Sequence, residues 1–256
     1  MGRNERTFSL AAATVVCLWA CAASAQTGGG RPIRTVLALG RVASMVEKPV
    51  ELTLSRVSIP ADASANYLGD QSAIYVVSGA LVVTSGNQSQ SIQQGDGAFI
   101  PSNTKTTLQA GANASAEILQ YQLTATNNSA GPTLGAPAVA TELRRMAIPS
   151  NTLKPGPYEF SLTRVTLSAG ASGPKPHTRS GAALYYVLAE GTITIWPAAT
   201  LDVLSGESRT ESRPTGAIQE EPFGFIHTWT PKSDSALVLL QANVSQEGVP
   251  EIIFVK

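Results

Sequence analysis

The chain of 256 residues carries 18 basic and 18 acidic side chains, so its formal net charge is zero. This balance, without clusters of basic residues, excludes a nucleic-acid-binding protein that neutralises many phosphates. A hydrophobic content of 43% excludes an intrinsically disordered chain, because enough apolar surface is present to offset the entropy of folding. We therefore expect a globular protein of one large or two small domains, with no nucleic-acid partner.

The first segment, residues 1–25, has the composition of a secretory signal peptide. Arg3 and Arg6 give it a basic start, and an apolar run follows at residues 8–22. That run is short for a membrane anchor, and small residues lead to a predicted cleavage site after Ala25. We expect a periplasmic or secreted protein with no membrane contact once the signal peptide is removed.

Both cysteines, Cys17 and Cys21, lie inside this predicted signal peptide. The mature chain is therefore expected to contain no disulfide, cysteine nucleophile or thiolate metal site. A lipoprotein modified at Cys21 is the less favoured alternative, because Trp19 fits poorly in the motif that precedes a lipidated cysteine.

From Val36 onward the sequence is typical of an all-β sandwich or barrel. Residues 52–59 and 74–83 alternate between apolar and polar side chains, and turn-forming residues recur about every ten positions. Residues 141–147 are the one short stretch for which we expect a helix.

The chain also repeats itself. Three pairs of segments occur in the same order: 54–64 with 162–172, 76–79 with 188–191, and 95–101 with 216–222. This order indicates two copies of about a hundred residues each. Between them, residues 127–137 have the Asn, Gly and Pro content of a linker.

The second copy contains the pattern Gly216, Pro222, Gly224 and His227, with Pro231 after it. This resembles the second motif of the cupins, G(x)5PxG(x)2H(x)3N, with Pro231 where Asn is usual. The repeat makes the resemblance specific to two-domain bicupins. It implies an all-β fold of two jelly-roll (double-stranded β-helix) barrels in tandem. The predicted division is a signal peptide at 1–25, an N-terminal barrel at 26–126, a linker at 127–150 and a C-terminal barrel at 151–256.

In the cupins that hold a metal, the resemblance implies three His ligands and one Glu ligand. Counted back from Gly191, the two His positions of the first motif are His177 and Arg179, and the Glu position is Leu184. The second copy thus keeps only His177 and His227 as ligands. A shorter spacing would instead place Thr178 and Ser180 at the His positions. The first copy keeps no ligand, since its matching residues are Ala65, Tyr67, Ser72 and Thr106.

Strand alternation predicts which side chains share the interior of the second barrel. It pairs His177 with Arg179 and His227 with Trp229, and it places Tyr186 beside Leu184. We expect the guanidinium of Arg179 to bind a carboxylate, because it is a permanently charged fork of donors. Tyr186 and Trp229 are then predicted to pack against the body of that ligand.

A metal is the alternative occupant of this predicted site. His177 and His227 would bind one divalent transition ion (Fe, Mn, Ni or Zn) with help from Glu220 or Glu221. These two carboxylates are adjacent, so strand alternation turns one of them inward. No cofactor is certain from the sequence.

Two functional hypotheses follow. The first is an exported cupin-domain protein that binds a small anionic or aromatic molecule in its C-terminal barrel. The second is a cupin enzyme (isomerase, lyase or oxygenase) with His177 and His227 as catalytic residues, with or without a metal. A purely structural role and a homodimer remain open.

Overall fold

The computed structural model describes residues 31–43, 49–125, 133–149, 153 and 156–256. The signal peptide predicted at 1–25, with both cysteines, lies outside these residues and stays a prediction. The described residues form strands and no helix, which confirms the all-β prediction. No helix in the described part of the chain is long and apolar enough to cross a membrane.

Eleven strands lie in the first part of the chain. They are β1 (Ile33–Val42), β2 (Val50–Ile59), β3 (Ser64–Leu68), β4 (Ser72–Ser78), β5 (Ala80–Ser85), β6 (Gln88–Gln93), β7 (Gly97–Ile100), β8 (Thr106–Ala110), β9 (Ala116–Ala125), β10 (Thr133–Leu134) and β11 (Val139–Ile148).

Nine more strands follow. They are β12 (Tyr158–Leu167), β13 (His177–Arg179), β14 (Ala182–Ala189), β15 (Gly191–Ile195), β16 (Arg209–Arg213), β17 (Ile218–Glu221), β18 (His227–Thr230), β19 (Leu237–Gln246) and β20 (Ile252–Phe254).

These strands build two barrels, each from two five-stranded sheets. The N-terminal barrel consists of the sheets β11-β2-β9-β4-β7 and β10-β3-β8-β5-β6. The C-terminal barrel consists of the sheets β1-β12-β19-β14-β17 and β16-β15-β18-β13-β20. All pairings between neighbouring strands are antiparallel, and alternate residues of each strand point into the barrel.

The two barrels exchange their outer strands. β1 comes from the first copy but pairs with β12 of the second, and β11 comes from the predicted linker but pairs with β2 of the first. The helix expected at residues 141–147 is therefore wrong, and the expected linker at 127–150 contains a ten-residue strand. Pairing with the edge of β2 overrides the helix propensity of this stretch, because it satisfies the backbone along the strand. The boundaries at residues 126 and 151 stay a prediction.

A shared hydrophobic core joins the barrels. Leu52, Leu54 and Tyr121 from one barrel pack with Phe160 and Leu184 from the other, all buried. The burial of such side chains is the main favourable term in holding the two halves together. The barrels thus form one continuous hydrophobic interface rather than two independent domains.

The repeated arginines contact the opposite barrel at equivalent places. Arg56 donates from Nη2 to the hydroxyl of Tyr186 at 3.0 Å, and Arg164 donates from Nη1 to the carbonyl oxygen of Gly95 at 3.2 Å. Gly95 has a φ of +89°, which favours glycine at this turn. The sequence repeat therefore corresponds to an approximate two-fold symmetry of the interface.

Each barrel also contains a β-bulge at an equivalent position. The register shifts after Val76 in β4 and after Val187 in β14. Ser72 pairs with Ile100, and Ala183 pairs with Glu221, so Ser72 corresponds structurally to Ala183. The residue count in the two copies predicts instead that Ser72 corresponds to Leu184, which is the residue after Ala183. In a strand, an error of one residue moves a side chain to the opposite face.

Candidate functional site

A buried ion pair lies at the centre of the C-terminal barrel. Nε of Arg179 donates to Oε2 of Glu221 at 2.9 Å, and the two side chains are only 2% and 0% exposed. Charges removed from water in this way are tolerated only when they are paired. The guanidinium predicted to bind a ligand carboxylate thus already binds a carboxylate of the protein itself.

The other oxygen of Glu221 has two further neighbours. Oε1 accepts a hydrogen bond from Nε1 of Trp229 at 2.7 Å. It also lies 2.8 Å from Nε2 of His227, although that ring nitrogen is not aligned for a hydrogen bond. Burial alone would raise the pKa of Glu221, but the charges of His227 and Arg179 outweigh it and lower this pKa to about 2. Glu221 is therefore a carboxylate at neutral pH.

The two histidines face each other across neighbouring strands. His177 pairs with His227 in register, and the ring centroids are 4.5 Å apart. In each ring Nδ1 bonds to a backbone carbonyl two residues earlier, that of Lys175 at 2.8 Å and that of Phe225 at 3.0 Å. A carbonyl only accepts, so Nδ1 carries a proton in both rings.

The environment of His177 keeps its ring neutral. Burial, followed by the nearby charges of His227 and Arg179, lowers the pKa of His177 to about 4. With its proton on Nδ1, the neutral ring has a free lone pair on Nε2. We refer to Arg179, Glu221, His177 and His227 as the charged cluster.

Beside this cluster, one wall of the barrel is polar where a filled core would be apolar. Its inward residues come from β12 and β19, are all buried, and are called here the polar wall: Ser161, Thr163, Gln241, Asn243 and Ser245. The rest of the interior is hydrophobic, with Val165, Leu239 and Ile193 among its members. The interior is therefore divided into a polar part and an apolar part.

Tyr185 connects the charged cluster to the polar wall. Nη2 of Arg179 donates to the Tyr185 hydroxyl, which in turn donates to Oε1 of Gln241 at 2.9 Å. The guanidinium carbon also lies 5.3 Å from the centroid of the Tyr185 ring. These contacts fix the orientation of Arg179 from one more side.

The network reaches solvent at the edge of the barrel along β1. Gln241 and Ser161 both donate to the carboxylate of Glu251, at 3.3 and 2.9 Å. Glu251 forms an ion pair with Arg34, and their side chains are 25% and 33% exposed. Near this ion pair, Val36 and Leu39 pair with inward residues of β12 but are each 56% exposed. The buried network thus ends at partly exposed side chains beside β1.

Several buried polar atoms near the charged cluster have no hydrogen-bond partner among the described residues. They include Nη1 of Arg179, both side-chain polar atoms of Asn243, and the hydroxyls of Thr163, Ser180 and Ser245. Ala183 pairs with Asn243 on one side and with Glu221 on the other. Ala183 therefore lies between Asn243 and Glu221, and its side chain is a single methyl group.

Five of the predicted site residues come together here, and two do not. His177, Arg179, His227, Trp229 and Glu221 all lie in the interior of the C-terminal barrel. Tyr186 instead lies in the interface core, where its hydroxyl accepts from Arg56. Glu220 faces outward and forms an ion pair with Arg144. The predictions that placed Tyr186 and Glu220 at the site are therefore wrong. The binding and catalytic roles of the other five residues stay predictions.

Sequence reasoning missed Tyr185 and the polar wall. Tyr185 was missed because the alignment by Gly191 was one residue out of register with the bulge in β14. The polar wall had a visible signal, since Gln241, Asn243 and Ser245 alternate along a strand that starts with Leu237 and Leu239. Arg34 had none, because the exchange of β1 brings it to the site.

Solved structures with a similar fold include oxalate decarboxylases from two bacteria. The enzyme of Lactobacillus farciminis, in a formate complex, is 13% identical with a TM-score of 0.53, and the match covers 91% of this chain and 90% of that one. That of Bacillus subtilis is 12% identical with a TM-score of 0.55, over 90% and 76%. Vicilin of hazelnut, Corylus avellana, is 12% identical with a TM-score of 0.51, over 78% and 76%.

Oxalate decarboxylases are two-domain cupins, and the match spans both barrels. This protein has the bicupin fold. The fold predicted from the repeat and from the Gly216–His227 pattern is thereby confirmed. The sequence itself matches no protein-family model and no curated protein.

The cupin fold raises the question of a metal, since the Bacillus subtilis enzyme has Mn(II) centres. The residues of this chain do not fit such an ion. Both oxygens of Glu221 are engaged by Arg179 and Trp229, and a guanidinium cannot ligate a cation. Within the described ranges, no three His, Cys, Asp or Glu side chains are arranged to hold a metal.

Proposed function

We propose that this bicupin is an exported protein that binds a small anionic molecule in its C-terminal barrel, between Arg179 and Asn243. The observation that carries the proposal is the group of buried polar atoms without partners around Ala183. Leaving a polar group buried and unpaired costs roughly 1–3 kcal/mol, so such atoms are normally satisfied by a ligand or by water.

The charge of the donor favours an anion. Nη1 of Arg179 is a cationic donor, and Asn243 and Thr163 add neutral groups that can donate or accept. An acid group placed beside Ala183 could accept from Arg179 and Asn243 at once. In two similar structures the fold belongs to enzymes named for oxalate, and one is a formate complex, so small carboxylates suit this fold.

The aromatic rings argue for an aliphatic ligand over an aromatic one. Tyr185 and Trp229 lie against each other, with ring centroids 5.8 Å apart and planes inclined by 34°. The guanidinium of Arg179 covers Tyr185, and Tyr186 lies outside the barrel interior. Arg179 and Trp229 thus pack against Tyr185, and Tyr186 is not available to a ligand in this barrel, which favours an aliphatic ligand.

Binding is also better supported than catalysis by the histidines. A general base is most effective when its pKa lies near the working pH. Burial lowers the pKa of His177 to about 4, which makes it a weak base at neutral pH. The enzyme hypothesis therefore remains the second candidate, supported only by the free lone pair on Nε2 of His177.

Calorimetry with the mature protein tests this proposal. Formate, acetate, oxalate and succinate would be titrated, with benzoate as the aromatic comparison. We expect at least one aliphatic acid to bind, and Asn243→Leu to weaken it by about tenfold or more, because a hydrogen bond to a buried charged ligand is lost.

The chain offers a matched control in the other barrel. Gln122 pairs with Ser72 as Asn243 pairs with Ala183, so Gln122→Leu makes the same kind of change at the equivalent position. It should leave affinity unchanged. Absence of binding for every acid, or equal affinity in Asn243→Leu, would show that the polar wall holds only water.

A further inference from the structure

We infer that the guanidinium of Arg179 serves as a permanent built-in cation of this site and keeps the barrel free of metal. The inference concerns the charged cluster alone and does not depend on the proposed ligand. It rests on three side chains of a type that can ligate metals, His177, His227 and Glu221, which belong to the same cluster as Arg179.

Each histidine makes one hydrogen bond of the kind that is common at metal centres. Each Nδ1 donates to a backbone carbonyl, so each ring presents Nε2 as its second nitrogen. A hydrogen bond of this kind to the non-ligating nitrogen is typical of histidines at metal centres. Glu221 adds an ionised carboxylate 2.8 Å from Nε2 of His227. By residue type, two imidazoles and one carboxylate are a set that suits transition metals, although in their present arrangement these described residues form no metal site.

The carboxylate nevertheless already has its cation. Arg179 is the only Lys or Arg for which the described residues show an ion pair to Glu221, and it is 2% exposed. A metal ion bound to Glu221 would have to displace the guanidinium, whose charge would then be buried without a carboxylate to balance it. Removing one partner of a buried ion pair is strongly unfavourable. A metal ion therefore displaces Arg179 from Glu221 less readily than it would displace a water molecule.

The two cations differ in what they can do. A guanidinium keeps its charge at every accessible pH, offers no open coordination position and has no redox chemistry. A site that contains it can bind and orient anions, but cannot polarise a substrate as a Lewis acid. With a guanidinium instead of a metal ion as its cation, the second barrel has no metal chemistry but keeps a positive charge.

The test is to replace the arginine by a ligand and measure metal. The mature chain would be expressed without a His tag, dialysed, and loaded with Mn²⁺ or Zn²⁺ before elemental analysis. The unaltered protein should retain less than about 0.1 equivalent per chain. Arg179→His should retain about one, since a third imidazole then joins His177, His227 and Glu221. The double variant with His227→Ala should lose that metal again.

A second variant, Arg179→Gln, tests the inference even if Arg179→His does not fold. Arg179→Gln keeps a donor where Nε of Arg179 contacts Glu221 but has no charge, and should bind Zn²⁺ at least about tenfold more tightly than the unaltered chain. About one equivalent of metal in the unaltered protein that His227→Ala abolishes would overturn the inference. So would a folded Arg179→His or Arg179→Gln protein that binds metal no better than the unaltered chain.

Discussion

The two barrels have the same strands but different interiors. Where the C-terminal barrel has Glu221 before Pro222, the N-terminal barrel has Ile100 before Pro101. In the N-terminal barrel the inward residues are mostly aliphatic, such as Ile74, Val76 and Leu108, and they form one hydrophobic core. One copy of the fold is therefore filled as a core, and the other carries charge.

The histidine positions differ in the same way. Thr106 stands five residues after Pro101, as His227 stands five after Pro222, and its partner across the strands is Tyr67 instead of His177. Tyr67 donates from its hydroxyl to the carbonyl of Asp70 at 2.6 Å. Burial raises the pKa of Tyr67 to about 12, so it stays neutral. None of these residues is charged.

The unpartnered polar atoms follow this division. Apart from the Tyr121 hydroxyl in the interface core, all those found among the described residues belong to the C-terminal barrel. In the N-terminal barrel the equivalent polar residues find partners, as when Gln120 donates to Ser72 at 3.3 Å. The unsatisfied polar groups, which are costly to bury, are thus concentrated in one of the two copies of the fold.

The largest expected effect comes from making Glu221 resemble its counterpart. Glu221→Ile leaves the charge of Arg179 buried without a carboxylate to balance it, and should lower the free energy of unfolding by about 3–5 kcal/mol. Adding Arg179→Leu should recover most of that loss, because the unpaired charge is then removed as well. Urea unfolding measures both, with Ile100→Val, expected to cost about 0.5–1.5 kcal/mol, as the matched control. A single variant as stable as the original would mean that the ion pair does not form.

A pH effect of intermediate size should belong to the C-terminal barrel alone. The folded-state pKa of His177 is about 4 and its unperturbed value is 6.5, so the unfolded chain takes up the proton first as pH falls. Stability is then full above about pH 6.5 and falls by about 3 kcal/mol towards pH 4. His177→Leu should flatten unfolding curves over this window, whereas Tyr67→Phe should not. Identical pH profiles for the protein and for His177→Leu would contradict the neutral ring.

Glu221 extends this acid sensitivity to lower pH. Its folded-state pKa of about 2 lies below the reference of 4.5, so its contribution is present above pH 4.5 and is lost as pH falls towards 2. The two windows overlap only between about pH 4 and pH 4.5, so one titration largely separates the histidine from the carboxylate.

The smallest expected effect tests the symmetry of the interface. Arg56→Ala and Arg164→Ala each remove one hydrogen bond between the barrels, and each should cost about 0.5–1.5 kcal/mol in urea unfolding. Because the bonds lie at equivalent places, their costs should be similar and additive. A much larger loss for one arginine would show that the two halves of the interface are not energetically equivalent.

Much of the site could be predicted from the sequence. The wrong placement of Tyr186 has one structural cause. The count from Gly216 and Pro222 to His227 located an inward histidine correctly, because motif spacing inside one turn and strand is local. Tyr186 was predicted instead of Tyr185 because the bulge after Val187 shifts the register by one residue. A bulge depends on how a strand pairs with its neighbour, which alternation within the strand does not encode.

The all-β class, the duplication and the inward direction of His177, Arg179 and His227 can all be predicted from local sequence patterns. These depend on period-two alternation and on turn residues, both of which act over a few positions. Only the tertiary structure decided that Arg179 meets Glu221, that β1 brings Arg34 to the second barrel, and that residues 139–148 form a strand. Those outcomes depend on contacts between distant segments, where the burial of a charge or a strand edge outweighs local preference.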